Sequence, residues 1–492
     1  MTQPTHLTRK LGLVGLTATG ICSMIGASIY VVPFMIQRNV PGIGPYVLPA
    51  FLFAAIPAIL AALAYTILSS AMPRAGGSYI YASRSIHPYL GFVASFSQWF
   101  GLSIVIGVIS YVVVPFFRDV ASALDWTNLA SLLDTDWIRV GLALALLWTF
   151  VYVNIRGVQL YEKTVIPLMI LMFALGGVVI FAGLIFDHSD FEKALEAKEG
   201  RTIILMEVNF NWPTFLSAAA LLFSSFIGFD SIAQAGGEAK NPTRNLPRAI
   251  GLAILIVSFF YIAFTYAVYH AVPWSFVASE AAIKDITAAG ILSYLLPSGL
   301  GILILLGAAI ALLNDLPAMI LSVSRLVFSW AEDGIFPRKI AAVHMIHHTP
   351  YRAIILSGVM ATIGILGSHF AGDFFLGIDI MVTSMLVNFL LMCLSVLILP
   401  MRNPEIASGI KVFRSRKIQI LISVAGTVIL TCFLLIHIAK DLNSEVSAWY
   451  FHSTPIWLIV MTLASLLFYF QWRKLKASGI DTQALFSQLP QE

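Results

Sequence analysis

The chain has 492 residues, of which 59% are hydrophobic and 11% are charged, and its formal net charge is +4. Soluble globular domains carry roughly 25% charged residues, so this composition excludes an ordinary water-soluble domain. The basic residues are spread over many short segments, which argues against nucleic-acid binding as the reason for the positive charge.

Apolar stretches that are long enough to cross a bilayer recur from Leu11 to Arg473. A spanning helix needs about 20 mostly apolar residues. The sequence therefore predicts twelve spans at 11–36, 46–71, 88–117, 137–155, 162–186, 214–236, 248–272, 290–323, 350–368, 374–399, 418–438 and 453–472. The first span is too long for a cleavable signal peptide, so we expect it to be retained. The expected fold is all-α and integral to the membrane.

The Lys and Arg residues predict the orientation of these spans. Positive residues close to the ends of spans are retained on the cytoplasmic side of a membrane. Most of the 29 Lys and Arg residues fall in segments on the same side as the N-terminus. We therefore expect a multi-pass protein of the inner or plasma membrane with both termini in the cytoplasm.

Two spans contain runs of small and polar residues at their middles, at 22–28 in the first span and 224–231 in the sixth. Many secondary transporters consist of two inverted five-helix halves, each of which begins with a helix that is broken near the bilayer midplane. Unwound backbone inside a membrane is tolerated only where it lines a cavity. The alternative is that Gly and Ser simply allow close helix packing.

The five-span separation of these runs predicts an inverted repeat with two accessory helices after it. The expected parts are an N-terminal segment at 1–10, a first half at 11–186, an outer loop at 187–213, a second half at 214–399, accessory helices at 400–472 and a tail at 473–492.

Four local motifs occur in order along the chain. They are Ser-Met-Ile-Gly-Ala-Ser-Ile-Tyr-Val-Val-Pro at 23–33, Pro-Arg-Ala-Gly-Gly-Ser-Tyr-Ile-Tyr at 73–81, Phe-Ile-Gly-Phe-Asp at 226–230 with its continuation at 238–250, and Ser324-Arg325 with 331–337 and Thr349-Pro350. This series resembles the amino acid-polyamine-organocation superfamily of transporters, of the bacterial amino acid permease type. The resemblance implies alternating-access transport of amino acids or related small amines.

The interruption in the first span offers free backbone N–H groups at Gly26, Ala27 and Ser28. The start of the following half-helix carries positive partial charge, which stabilises an anion. The resemblance implies that the substrate carboxylate binds here, with Cys22 and Ser23 one turn away. Ser28 departs from the glycine that is usual in the family, which would narrow the pocket slightly.

The interruption in the sixth span would free the carbonyl groups of Ser225, Phe226 and Ile227 beside Gly228 to accept hydrogen bonds from an ammonium group. Phe226 and Phe229 could stack on that cation or form a thin gate. The alternative for both rings is ordinary core packing.

Several polar side chains lie inside predicted spans, where an ionisable group is costly and usually functional. Apolar surroundings favour the neutral form of Asp230, and the resemblance implies a role in gating or proton coupling; a permanent hydrogen bond to backbone is the alternative. Asn314 and Asp315 point about 100° apart on a helix, so only one of them can face a cavity. We assign Asn314 to binding and Asp315 to coupling, with a polar network near Pro317 as the alternative. Gln98 is a further coupling candidate, or an interhelical hydrogen-bonding residue.

The coupling ion stays open between H⁺ and Na⁺, and exchange is equally compatible. Some relatives carry a lysine in the fifth helix, where this chain has Met172, so a lysine-based proton mechanism is not expected. A sodium site would need oxygens such as those of Ser322 and Ser324. Asp230 together with Asp315 would suit a polyamine or amine cation, whereas a zwitterion is the first choice.

No catalytic residue, cofactor or resident metal is expected, because the chain has no phosphate-binding loop or nucleophile elbow. The partners expected are a small-molecule substrate and the bilayer, with the oligomeric state open. A transporter-like sensor or a membrane-embedded enzyme is the alternative from another class of protein.

Overall fold

The structure is a computed structural model that describes residues 7–26, 28–204, 206–284, 286–371, 374–446 and 448–490. Over these residues it consists of helices and connecting loops, without an assigned β-strand. The first helices are α1 (Leu13–Met24), α2 (Ser28–Asn39), α3 (Val47–Ala71), α4 (Gly77–Ser85), α5 (Pro88–Ala123), α6 (Thr127–Leu133), α7 (Asp136–Ile155), α8 (Val158–Ile185), α9 (His188–Glu199) and α10 (Trp212–Leu222).

The later helices are α11 (Ser231–Gln234), α12 (Pro242–Ala271), α13 (Trp274–Ile283), α14 (Ala288–Leu292), α15 (Ser298–Glu332), α16 (Tyr351–Ala371), α17 (Phe374–Arg402), α18 (Pro404–Ser408), α19 (Arg416–Asn443), α20 (Ser453–Ala477) and α21 (Thr482–Ser487). Short 3-10 helices occupy Gly44–Tyr46, Phe223–Phe226, Gly236–Glu238, Arg338–Ala341 and Trp449–Phe451.

Twelve segments among the described residues are long and apolar enough to cross a membrane. This number confirms the count predicted from the sequence. The first span comprises α1 and α2, and the sixth comprises α10, the 3-10 helix Phe223–Phe226 and α11. The first and last described segments of the chain lie at the same end of the helix bundle, which we call the terminal side; the opposite side is the far side.

The largest difference from the predicted boundaries is in the eighth span. The prediction was 290–323, but α15 begins at Ser298, directly after Pro297, and continues to Glu332. Around the start of the predicted span, Ala288–Leu292 forms the separate short helix α14. Ser324 and Arg325, which the prediction placed beyond the span, therefore lie inside a helix and face the protein interior.

The distribution of side chains is that of a protein surrounded by lipid. Large apolar residues such as Phe259, Phe181 and Leu421 expose about 70% of their surface. Polar residues such as Gln98 and Asn388 are fully buried. Lipid solvates apolar groups, so the outer faces stay apolar and the polar groups that the function needs turn inward.

α1 lies at the centre of the bundle, where it packs against α8, α11, α12 and α15. α5 forms a second packing axis with contacts to α15, α16 and α17. The interruption between α1 and α2 is therefore surrounded by protein rather than by lipid, as unwound backbone at this depth requires.

Backbone hydrogen bonds hold two segments together at the terminal side, next to the start of the first span. The N–H of Leu11 donates to the carbonyl of Glu238 at 2.9 Å, and the N–H of Lys240 donates to the carbonyl of Leu11 at 2.8 Å. These two hydrogen bonds join the residues that precede α1 to the segment that follows α11.

The end of the chain also lies against this side. The Asn403 amide donates to the carbonyl of Ser487 at 2.8 Å, Arg84 Nε donates to the carbonyl of Gln488 at 3.2 Å, and Arg74 Nε donates to that of Pro490 at 2.9 Å. The tail therefore connects α17 with α4 and the loop that precedes it.

Candidate functional site at two interrupted helices

The first span is interrupted where the sequence predicts it. α1 ends at Met24, and Ile25 has φ −93° and ψ 82°, which is outside the helical region. The helix resumes as α2 at Ser28. Ala27 lies outside the described residues, and only the backbone of Ser28 is described. Carboxylate binding by the N–H groups of Gly26, Ala27 and Ser28 stays a prediction.

The sixth span is interrupted at its predicted position too. After α10 the chain tightens into the 3-10 helix Phe223–Phe226, and Ile227 is extended with φ −75° and ψ 131°. Gly228 has φ 136°, a conformation that glycine adopts without a steric penalty. The short helix α11 follows from Ser231.

The two interruptions touch each other. A Cβ atom on Gly228 would lie 2.2 Å from the carbonyl oxygen of Ser23, so the two main chains are in direct contact. The hydroxyl groups of Ser23 and Ser231 are joined by a hydrogen bond of 2.8 Å. The absence of a side chain at Gly228 is what allows this approach.

A small cavity of about 50 Å³ lies beside the contact. It is lined by Ser23, Met24, Val32, Val105, Ile109, Ser224, Ile227, Leu312, Asp315, Met319, Ile378 and Met381. This space holds a few water molecules. Binding of a larger solute therefore requires the lining side chains or the helices to move apart.

Of the residues predicted to bind substrate, Ser23 and Ile227 line this cavity. The other described ones lie around it without lining it: Cys22, Gly26, Ser225, Phe226, Gly228 and Asn314. Of the predicted coupling residues, Asp315 lines the cavity, whereas Phe229, Asp230 and Gln98 do not. Their roles stay predictions.

Asn314 and Asp315 point in different directions, as their adjacent positions on α15 require. The Asn314 amide donates to Sγ of Cys22 at 2.9 Å. Asp315 points toward the first interruption: a Cβ atom on Gly26 would lie 2.2 Å from its Oδ2 atom. Asp315 is the member of the pair that reaches the cavity.

Asp230 belongs to a buried polar network rather than to the cavity wall. The Gln98 amide donates to Oδ2 of Asp230. The Gln98 Oε1 atom accepts from Gln234 at 3.3 Å and from Asn388 at 3.2 Å. Asn388 also donates to the Tyr65 hydroxyl at 2.8 Å. These residues join α3, α5, α11, α17 and the turn before α11.

Gln234 is a network member that the sequence analysis did not identify. Its amide nitrogen donates to the Ser78 hydroxyl at 2.7 Å, and its Oε1 atom accepts from the Ser78 backbone N–H at 3.2 Å. A signal was present, because Gln234 lies four residues after Asp230 in the same interrupted span.

Phe226 and Phe229, the two candidate gate residues of the sixth span, pack among other aromatic rings. Phe229 stacks on Phe389 with centroids 5.0 Å apart. Phe226 contacts Phe51 edge-on at 5.4 Å. Both are fully buried. In this structure their contacts are those of core residues, and gating or cation stacking stays a prediction.

The candidate sodium ligands differ in their surroundings. The Ser324 hydroxyl donates to the carbonyl of Leu321 at 2.9 Å and accepts from Arg325 at 2.7 Å, so it is engaged by its own helix. The Ser322 hydroxyl has no hydrogen-bond partner in the described part of the chain. Met172, which occupies the position where some relatives carry a lysine, is fully buried. Sodium coupling stays a prediction.

Twelve described helical segments that could cross a membrane, with two interrupted ones meeting beside a small cavity, define a polytopic protein of the all-α class with the architecture of a transport protein. The chain belongs to the amino acid permease family, since the family model described as "Amino acid permease" matches residues 11–463. This match confirms the resemblance drawn from the four motifs.

Individual relatives are distant but cover most of the chain. The methylthioribose transporter of Bacillus subtilis (strain 168) is 22% identical over 487 residues, which is 94% of each protein. The branched-chain amino acid permease BcaP of the same organism is 25% identical over 87% of this chain and 88% of its own. The human cationic amino acid transporter 4 is 26% identical over 73% of this chain and 55% of its own.

Proposed function

We propose that the protein is a secondary active transporter that moves amino acids or related small amines across the inner or plasma membrane by alternating access. The observation that carries this proposal is the meeting of two interrupted helices, at Ser23 and Gly228, beside a small cavity inside the helix bundle. Helix interruptions of this kind place backbone dipoles around a midplane site.

The closed terminal side supports alternating access. Ion pairs between Arg325 and Glu238 and between Arg84 and Asp333 are almost fully buried there. Such pairs and the backbone bonds of Leu11 would have to separate for the cavity to open to this side. The excess of Lys and Arg supports assignment of this side to the cytoplasm.

The polar network around Asp230 supports a role in coupling. Asp230 is fully buried, and its Oδ1 atom has no hydrogen-bond partner among the described residues. A carboxyl group in such surroundings is stable when neutral and needs solvent or a partner when charged. Opening of the network would therefore change its protonation, which is how a proton gradient could drive transport.

The names of the relatives cover several kinds of small solute. By their names they carry methylthioribose, branched-chain amino acids and cationic amino acids. Since these solutes differ in charge, family membership is compatible with a zwitterionic, cationic or neutral substrate for this chain.

The test is uptake by the purified protein in proteoliposomes, from a panel of labelled amino acids and small amines. The pH gradient and the sodium gradient are imposed separately, and exchange is tested with vesicles loaded with unlabelled solute. We expect accumulation of at least one compound under one of these conditions. Folded protein that moves no compound faster than protein-free vesicles would overturn the proposal.

A further inference from the structure

We propose, on the basis of the transport function above, that the substrate is a small apolar monoamine without a free carboxylate, and that Asp315 is the counter-charge for its ammonium group. Asp315 lines the central cavity and is 5% exposed. Its Oδ1 atom has no hydrogen-bond partner in the described part of the chain. An unpartnered buried carboxyl that faces a cavity indicates a ligand group that completes it.

The cavity wall provides no positive partner of its own. Among the twelve residues that line it there is no Lys, Arg or His, and the polar members besides Asp315 are Ser23 and Ser224. A carboxyl group in an apolar, desolvated site is either neutral or paired with a cation when it is charged. A protonated amine of the substrate supplies that charge and hydrogen-bond donors together.

The position of Asp315 disfavours a substrate carboxylate. Its Oδ2 atom lies against the α-carbon of Gly26, at the interruption that precedes α2. This interruption is where the sequence predicts that the carboxylate of a zwitterion binds. A substrate carboxylate that binds to the same backbone segment would be repelled by the Asp315 side chain when that side chain is charged. The Asp315 side chain thus places a carboxyl group of the protein where the carboxylate of an amino acid substrate would otherwise bind.

The other residues that line the cavity favour a substrate with one positive charge and an otherwise apolar structure. Among the described residues that line the cavity, Asp315 is the one acidic residue, so a second ammonium group would find no counter-charge in this part of the wall. Met24, Met319 and Met381 contribute flexible apolar side chains, which adapt readily to differently shaped alkyl or aryl groups. A monoamine is therefore favoured over a diamine of similar length.

The test compares ligands that differ in a single group. Binding to the full-length protein in lipid nanodiscs is measured by calorimetry for isobutylamine against valine, isoamylamine against leucine, and phenethylamine against phenylalanine, with amylamine against 1,5-diaminopentane. We expect each monoamine to bind at least tenfold more tightly than its amino acid or diamine counterpart.

The variant Asp315→Asn, which keeps the size of the side chain, should weaken amine binding at least tenfold and abolish the preference. The control Glu192→Gln removes a carboxylate from the exposed helix α9 and should leave both unchanged. Tighter binding of the amino acids, or an unchanged preference in Asp315→Asn, would overturn the inference. If proteoliposomes take up those amino acids, the inference about the substrate fails but the proposed transport function still holds. No binding by any compound would also overturn the inference.

Discussion

Arg325 and Glu238 form a bidentate ion pair between the eighth span and the end of the sixth. Nη2 of Arg325 lies 2.6 Å from Oε1 of Glu238, and Nε lies 3.0 Å from Oε2. Both side chains are at most 1% exposed. The pair sits beside the backbone bond between Leu11 and Glu238, so it helps to hold the first, sixth and eighth spans together at the terminal side.

Removal of one partner should leave the other charge buried and unpaired. Arg325→Gln or Glu238→Gln should each lower the free energy of unfolding by about 3–5 kcal/mol, measured by denaturation in detergent. The double variant should cost less than the sum of the two. Asp134→Asn is the control, since the Arg118–Asp134 pair is largely exposed and should be worth less than about 1 kcal/mol. A loss as small as that of the control would contradict a structural role for the buried pair.

Asp230→Asn should separate binding from coupling. The asparagine side chain keeps the size of the aspartate and stays within reach of Gln98, but it cannot take up and release a proton. We expect substrate affinity within about threefold of the unmodified protein and at least tenfold slower gradient-driven uptake in proteoliposomes. Full accumulation by the variant under a pH gradient would exclude Asp230 from proton coupling.

Sequence reasoning located the spans and the two interruptions because both depend on local composition. Twelve apolar stretches are visible in the sequence, and the run of small and polar residues at 224–231 contains Gly228, where the structure has positive φ. The angular separation of adjacent helical residues also required Asn314 and Asp315 to face different partners. Which of them reaches the cavity depends on how α15 is rotated about its axis, and local sequence does not specify that.

The buried network and the ion pair were less accessible to sequence reasoning. Arg325 and Glu238 are 87 residues apart. Gln234 joins Ser78, which is 156 residues away. Such pairs are set by the way in which short half-helices pack after an interruption. The eighth span was misplaced for a related reason, since continuous apolar sequence hides the proline-bounded division between α14 and α15.

Gly228→Ala should disrupt the contact between the interrupted helices. The added methyl group would lie 2.2 Å from the carbonyl oxygen of Ser23, and φ 136° is unfavourable for alanine. Because the neighbour is backbone, it cannot rotate away, and we expect a loss of roughly 3 kcal/mol together with loss of uptake. Gly177→Ala is the matched control: it is helical, with open space around its Cβ position, and should be neutral or slightly stabilising. Equal melting temperatures for the two variants would contradict the close contact.

Phe486→Ala should release the C-terminal tail from the terminal side. The Phe486 ring is 7% exposed, packs against Trp472 with centroids 5.6 Å apart and lies under the Arg84 guanidinium at 4.9 Å. Without this ring, water can compete for the tail carbonyl groups that accept hydrogen bonds from Arg84 and Asn403. Amide hydrogen exchange over residues 482–490 should then accelerate at least tenfold, while exchange in α15 stays unchanged. Unchanged protection of the tail would show that the backbone bonds hold it without the ring.

Glu280, on α13 at the far side, should make stability depend on acidity. Its Oε1 atom lies 2.6 Å from Nη2 of Arg201, and its Oε2 atom lies 2.7 Å from Nζ of Lys284. Burial alone would raise the pKa of Glu280, but the hydrogen bonds from Lys284 and Arg201 outweigh it and leave the pKa below its ordinary value of 4.5. A lowered pKa means that the unfolded state takes up the proton first.

The stabilisation from Glu280 is therefore complete above pH 4.5 and is lost as the pH falls through the lowered pKa. Between pH 7 and pH 3.5 the melting temperature of the unmodified protein should fall further than that of Glu280→Gln, by roughly 2 °C, since the cationic partners are half exposed to solvent. Glu192→Gln, which alters an exposed carboxylate on α9, should follow the unmodified protein. Parallel curves for Glu280→Gln and the unmodified protein would mean that the two ion pairs add nothing to the stability of the far side.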